Sequence, residues 1–285
     1  MISRTNAWTT LDSVARATGQ LPRGEFFGCL FSLGCANGLA SRVIQSVDRD
    51  GWPDALFSTF GISAIVWLAC IVGIFLVLQD RTIGVHPFEL GIGATFIILV
   101  ILPIGPLSWF AVAALCLYVI LSKPVASTRR GALILLATTV PMLWSRLIFQ
   151  FLANLILQID ASFVSWILGT QRTGDIVEFA DGSGVLVILP ACSSLANVSI
   201  AFLCWVTVSQ WVGHKRSAYD VLWCFMACIS VVAVNATRIS IQGLSQWHYA
   251  TFHSSWGDAI ANMIILALIV GCSVLGVRRE LFQRI

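Results

Sequence analysis

The sequence predicts an all-α polytopic membrane protein with about eight transmembrane helices and a small extracytoplasmic β-hairpin before the sixth. Three observations predict it. Of the 285 residues, 58% are hydrophobic and only 11% charged, with a mean hydropathy of +0.87. A soluble domain carries about a quarter charged residues, so this chain has too few to keep its apolar surface out of water. The apolar residues gather in runs of the length, about 20 residues, that crosses roughly 30 Å of hydrocarbon. Finally, Lys and Arg fall in alternate connections, which sets an orientation. The small net charge of +3 collects in those connections rather than on one basic face, so there is no nucleic-acid footprint.

Taken in order, the residues before the first span (1–25) are polar and carry Arg4, Arg16 and Arg23. The run after them holds "SLGCANGLAS", which looks superficially like a lipoprotein or signal cleavage site. Its Leu lies next to the Gly and many spans follow, so we read an uncleaved first anchor. Spans are expected at 26–46 (with Asn37 and Arg42 inside), 55–79, 88–104, 106–122, 131–157, 192–212, 219–237 and 256–277. "PIGP" at 103–106 breaks the third and fourth into a tight hairpin. No soluble domain, linker or internal repeat interrupts the series, and 1–285 reads as one integral membrane domain.

One side collects Arg4, Arg16, Arg23, Arg81, Lys123, Arg129, Arg130, Lys215, Arg216, Arg278, Arg279 and Arg284. The other has Arg49 and Arg172 among Asp48, Asp50, Asp54, Asp160, Asp175, Glu178 and Asp181. Positive residues mark the cytoplasmic side, so both termini are expected there, in a bacterial inner membrane. The largest outside segment is 158–191, where "DIVEF", "ADGSG" and "GVLVILP" read as strand, turn and strand. Trp52, Trp109, Trp166, Trp247 and Trp256 fall near the outer boundary, as an interfacial belt would.

Chemistry gathers on that outer side. Cys29, Cys35, Cys70, Cys116, Cys204, Cys224, Cys228 and Cys272 lie inside spans, where a thiol acts as a small hydrophobe. Cys192 alone opens a span at its outer end, with no evident disulfide partner. A helix N-terminus there favours the nucleophilic thiolate. Arg238, in "NATRIS", ends the next span at the same level; it either snorkels to lipid phosphate or marks a site. His248 and His253 are outside, in the link before the last span, whereas His86 and His214 are cytoplasmic. Thiol, guanidinium and imidazole can together run acyl transfer.

"PACSSL", "NATR" and "HSSWG" in that order resemble the exosortase/archaeosortase family, whose members carry an A-C-S-G-[LI] cysteine motif, an N-x-x-R and a histidine four residues before a glycine. The resemblance covers about 131–277, the expected catalytic core, including the hairpin before the cysteine. It implies Cys192 as nucleophile, His253 (through Gly257) as general acid/base, Arg238 as stabiliser of the oxyanion, and Asn235 as the matching asparagine. Where the family has glycine after Cys-Ser, this chain has Ser194.

In the fifth span Arg146, Gln150, Asn154 and Gln158 recur every fourth residue, a slowly winding polar stripe. It is either interhelical hydrogen-bonding glue or a groove wall that seats a polar part of the substrate, which makes Arg146 and Asn154 supporting residues. "DGSG" at 181–184 is not a rhomboid motif, no H-E-x-x-H is present, and no metal or organic cofactor is expected.

The resemblance implies a cysteine protease or transpeptidase that recognises a C-terminal sorting signal on exported proteins: a short Pro-containing motif, a membrane helix and a basic tail. Its partners are that signal helix and the lipid bilayer. The alternative is a non-enzymatic transport or assembly subunit of an envelope exopolysaccharide system, with Cys192 incidental.

Overall fold

A computed structural model describes residues 21–82, 84–102, 104–214, 217, 219–253 and 255–278. The expectations that rest on Arg4, Arg16, Pro103, Lys215, Arg216, Arg279, Arg284, Ser254 and the Trp256 side chain lie outside the described residues. The chain divides into two compact units, Met1–Thr139 and Val140–Ile285.

The protein is largely helical. Five segments are long and apolar enough to cross a membrane: Arg23–Phe57, Ala126–Leu168, Ser194–Val212, Tyr219–Gln242 and Ala259–Gly276. Three more apolar helices are shorter, Ala64–Leu78, Pro87–Ile101 and Gly105–Leu121. A helix of 15 residues rises about 22 Å, less than the roughly 30 Å of a bilayer core. Phe151, Phe57, Leu121 and Val221 are among many large apolar side chains left exposed, a surface that suits lipid rather than water.

The first unit holds α1 (Arg23–Phe57), α2 (Ala64–Leu78), α3 (Pro87–Ile101), α4 (Gly105–Leu121) and α5 (Ala126–Thr139). Gly51, at φ 76°, bends α1 just before Pro53. Helices α2 and α5 meet backbone to backbone: a Cβ at Gly131 would come 2.5 Å from the Gly73 carbonyl oxygen. Asn37, the polar residue inside the first span, is used: its amide donates to the Val100 carbonyl at 2.7 Å and to Ser108 Oγ at 2.8 Å. Trp109, expected in an interfacial belt, is instead buried and donates to the Gly38 carbonyl at 3.0 Å. Gly38 leaves room for the indole, and burial there satisfies its one donor.

A polar network closes one end of this unit. Arg23 donates to Glu89 Oε1 from Nε at 2.9 Å and from Nη2 at 2.5 Å, and to Ser122 Oγ at 2.9 Å. Glu89 Oε2 accepts the His86 amide at 3.1 Å, capping α3. Between α2 and α3, Asp80 accepts from the Thr82 amide at 3.0 Å, from the Thr82 hydroxyl and from Thr128 Oγ1 at 3.0 Å. Burial pushes the Asp80 carboxyl up, but these hydrogen bonds and the charge of Arg23 outweigh it and hold the group below its usual range.

The second unit begins with a π-helical segment, Val140–Trp144, running into α6 (Ser145–Leu168). There follow β1 (Arg172–Thr173), β2 (Ile176–Glu178) and β3 (Val185–Val187), then α7 (Ser194–Val212), α8 (Tyr219–Gln242), α9 (Gln246–Phe252) and α10 (Ser255–Gly276). The strands form one antiparallel sheet in the order β1-β2-β3, with Val177 opposite Leu186. Alternation sends Val177, Leu186 and Ile188 inward, where they pack with Leu157, Ala161 and Val164 of α6 and Ile239 of α8. Helix α6 continues to Leu168, past the expected span end at 157, until Gly169 stops it with φ 68°.

Candidate active site

The site is built on a tight turn. Leu189 enters extended, and the Cys192 amide donates back to its carbonyl at 2.8 Å, closing a short 3-10 turn over Pro190–Cys192. Ser193 caps α7, its hydroxyl accepting from the Leu195 amide at 3.3 Å. Two neighbouring helices hold this turn. From α8, Asn235 Nδ2 donates to the Cys192 carbonyl at 2.7 Å and to Ser194 Oγ at 3.0 Å, so both its amide hydrogens are used. From α6, Asp160 accepts the Ser194 amide at 3.2 Å and its hydroxyl at 2.9 Å. Asn235 and Asp160 are both buried. Burial makes the pairing compulsory, because an unpaired buried polar group costs about 1–3 kcal/mol. The Cys192 side chain is half-buried, against the cluster that contains Leu157, Val164 and Ile239.

Arg238 stands one helical turn beyond Asn235 on α8. It is half-buried and lines a cleft of about 350 Å³ between α8 and α10, with Thr237, Phe252 and Gly257. His253 ends α9, where its amide donates to the Tyr249 carbonyl at 2.9 Å. Its exposed ring stacks on Tyr249 at 4.8 Å between centroids. Tyr249, on which His253 stacks, borders the same apolar cluster as Cys192. The spacing from His253 to Gly257 has a cause: a Cβ at Gly257 would collide with the carbonyl of Phe252, the residue before His253. That carbonyl also accepts from Gln242 Nε2 at 3.1 Å. His248 is placed differently. Its Nδ1 is 2.7 Å from Ser245 Oγ, within the first turn of α9, and its ring meets Trp247 edge-on.

The structure therefore joins Asn235 directly to the Cys192 turn and gathers Arg238 and His253 around the α8–α9–α10 end. Arg146 and Asn154, with Gln150 and Gln158, lie on the exposed face of α6. Among the described residues no group of three or more His, Cys, Asp or Glu could hold a metal ion. The chain matches no protein-family model, no curated protein and no solved structure.

Two residues of the clamp escape a reading by motif. Asp160 reads as an outer-loop charge, yet with Leu157, Ala161 and Val164 it occupies the inward face of α6. A carboxylate on an apolar stripe is the signal that marks it. Ser194 reads only as a missing glycine, yet its hydroxyl links Asp160 to Asn235.

Proposed function

We propose that this chain is a membrane cysteine peptidase or transpeptidase of exosortase type. Eight helices would cross a bacterial inner membrane, with both termini cytoplasmic and Cys192 at the outer face. It would act on the C-terminal sorting signals of exported proteins. The observation that carries this reading is the two-sided clamp on the Cys192 turn. A thiol that merely fills space needs no buried amide on its own carbonyl and no buried carboxylate on the next helix start.

The chemistry follows from the three groups. His253 takes the Cys192 proton as the sulfur attacks the scissile carbonyl carbon, and Arg238 faces the developing oxyanion. The C–N bond breaks, His253 returns the proton to the leaving amine, and a thioester remains on Cys192. An amine or water then attacks that thioester, gives its proton to His253, and releases the thiol. Asn235 and Asp160 touch no reacting atom; they hold the turn in place.

The test uses a tagged exported reporter ending in a Pro-containing segment, an apolar helix and an Arg-rich tail taken from a protein of the same cell. Cys192→Ala and Cys192→Ser should leave it uncleaved at normal enzyme levels. Normal cleavage by Cys192→Ala rejects the reading.

A further inference from the structure

The register of the small sheet leaves a specific set of groups unused. Ile188 donates to Asp175 at 2.9 Å and Phe179 to Gly184 at 3.0 Å. Ile176 lies opposite Val187, and Glu178 opposite Val185. In an antiparallel ladder, bonded and non-bonded pairs alternate. Leu186 and Ile188 therefore bond to β2, while the N–H and C=O of Val185 and Val187 point the other way. Among the described residues no strand pairs with that edge of β3, and Val185 and Val187 are 55% and 44% exposed. The edge faces a cleft of about 330 Å³ lined by Ser183, Val185, Val187 and Leu189 on one side and Gln246 and Tyr249 of α9 on the other. The cleft closes at one end, where the Gln246 amide donates to Ser183 Oγ at 3.3 Å.

This slot joins the two halves of the chemistry. Strand β3 runs through Leu189 into the Pro190–Cys192 turn, and α9, its opposite wall, ends at His253 stacked on Tyr249. Donors and acceptors repeating every second residue, about 6.6–6.8 Å apart, are matched in period by another extended backbone; an apolar lipid chain would leave them unpaired. We propose that the free edge of β3 binds the substrate polypeptide as an added strand and delivers it to Cys192. The occupant is an extended segment of an exported polypeptide, recognised mainly through its main chain, with side-chain choice made by the cleft between β3 and α9. The inference rests on the peptidase reading above.

The ladder supplies the test. Proline at 187 removes an N–H that faces the cleft and none that bonds β2, the one arrangement in which an edge strand accepts proline. Val187→Pro and Val185→Pro should raise the reporter concentration for half-maximal cleavage about tenfold or more, and Val187→Thr, which keeps the N–H, should raise it less than Val187→Pro does. Reaction of Cys192 with N-ethylmaleimide should be unchanged in all three. As a second measurement, a benzophenone side chain at position 187 should crosslink to the reporter segment that precedes its membrane helix. Wild-type cleavage by Val187→Pro, or crosslinks only to a second copy of this chain, overturns the docking edge while Cys192 remains essential. Cleavage that survives Cys192→Ala instead overturns the peptidase reading itself.

Discussion

The side-chain amide of Asn235 donates to the carbonyl oxygen of Cys192 at 2.7 Å. It grips the backbone of the proposed nucleophile and leaves the sulfur to the substrate. The asparagine of the "NATR" motif is thereby tied physically to the cysteine of "PACSSL", and Arg238 is carried one turn further along the same helix. Asn235→Ala should lower cleavage by about 10²-fold, the order expected when a reacting group shifts by about 1 Å. The loss should appear in kcat rather than KM, measured with the reporter at matched protein levels.

Asp160 and Ser194 hold the same turn from the other side. Asp160→Ala leaves the buried Ser194 amide and hydroxyl hydrogens without an acceptor, and should cost about 1–3 kcal/mol of stability, read from thermal unfolding in detergent. Ser194→Gly restores the residue the resembling family carries, yet here it deprives both Asp160 and Asn235 of a partner. It should lower cleavage rather than raise it. A gain in activity would show that the hydroxyl is dispensable.

Gly257→Ala brings a methyl onto the Phe252 carbonyl and should displace His253. Cleavage should fall about tenfold or more, approaching the roughly 10²-fold loss expected for His253→Ala. His248→Ala should have a small effect, because that ring is held by Ser245 at the start of α9. The reverse ranking of the two histidine variants, measured as reporter cleavage, assigns the proton carrier to His248.

Much of this architecture was legible in the sequence because hydrophobic runs and turn residues are local signals. Strands β2 and β3 fall inside "DIVEF" and "GVLVILP". Strand β1, only two residues long, has no alternation to read. Cys192, Arg238 and His253 stand out as candidates in the sequence because thiol, guanidinium and imidazole groups are rare at the ends of apolar runs. Asp160 was misplaced because a carboxylate near a span end resembles a loop charge. Only its packing against the head of α7, 34 residues later in the chain, shows otherwise. Trp109 was misplaced because its burial depends on Gly38, a partner 71 residues away.

Outside the spans, Asp80 makes a separate pH prediction. Its folded carboxyl titrates below the ordinary value of about 3.9. Its contribution to stability is therefore present above that value and is lost as pH falls through the lower folded one. Asp80→Ala should destabilise the protein by about 1–3 kcal/mol near neutrality. The gap between variant and wild type should narrow below about pH 4, as thermal unfolding across pH would register.

If the proposed mechanism holds, Cys192 becomes acylated by its substrate. Intact-mass and peptide spectrometry of the enzyme, trapped by acid quench during turnover of the reporter, tests it most directly. The expected product is a thioester on Cys192 carrying the reporter chain up to its cleavage point, released by hydroxylamine and missing from Cys192→Ser. Cleaved reporter accumulating while Cys192 stays unmodified, with an acyl adduct on another residue or none under the same quench, would contradict it.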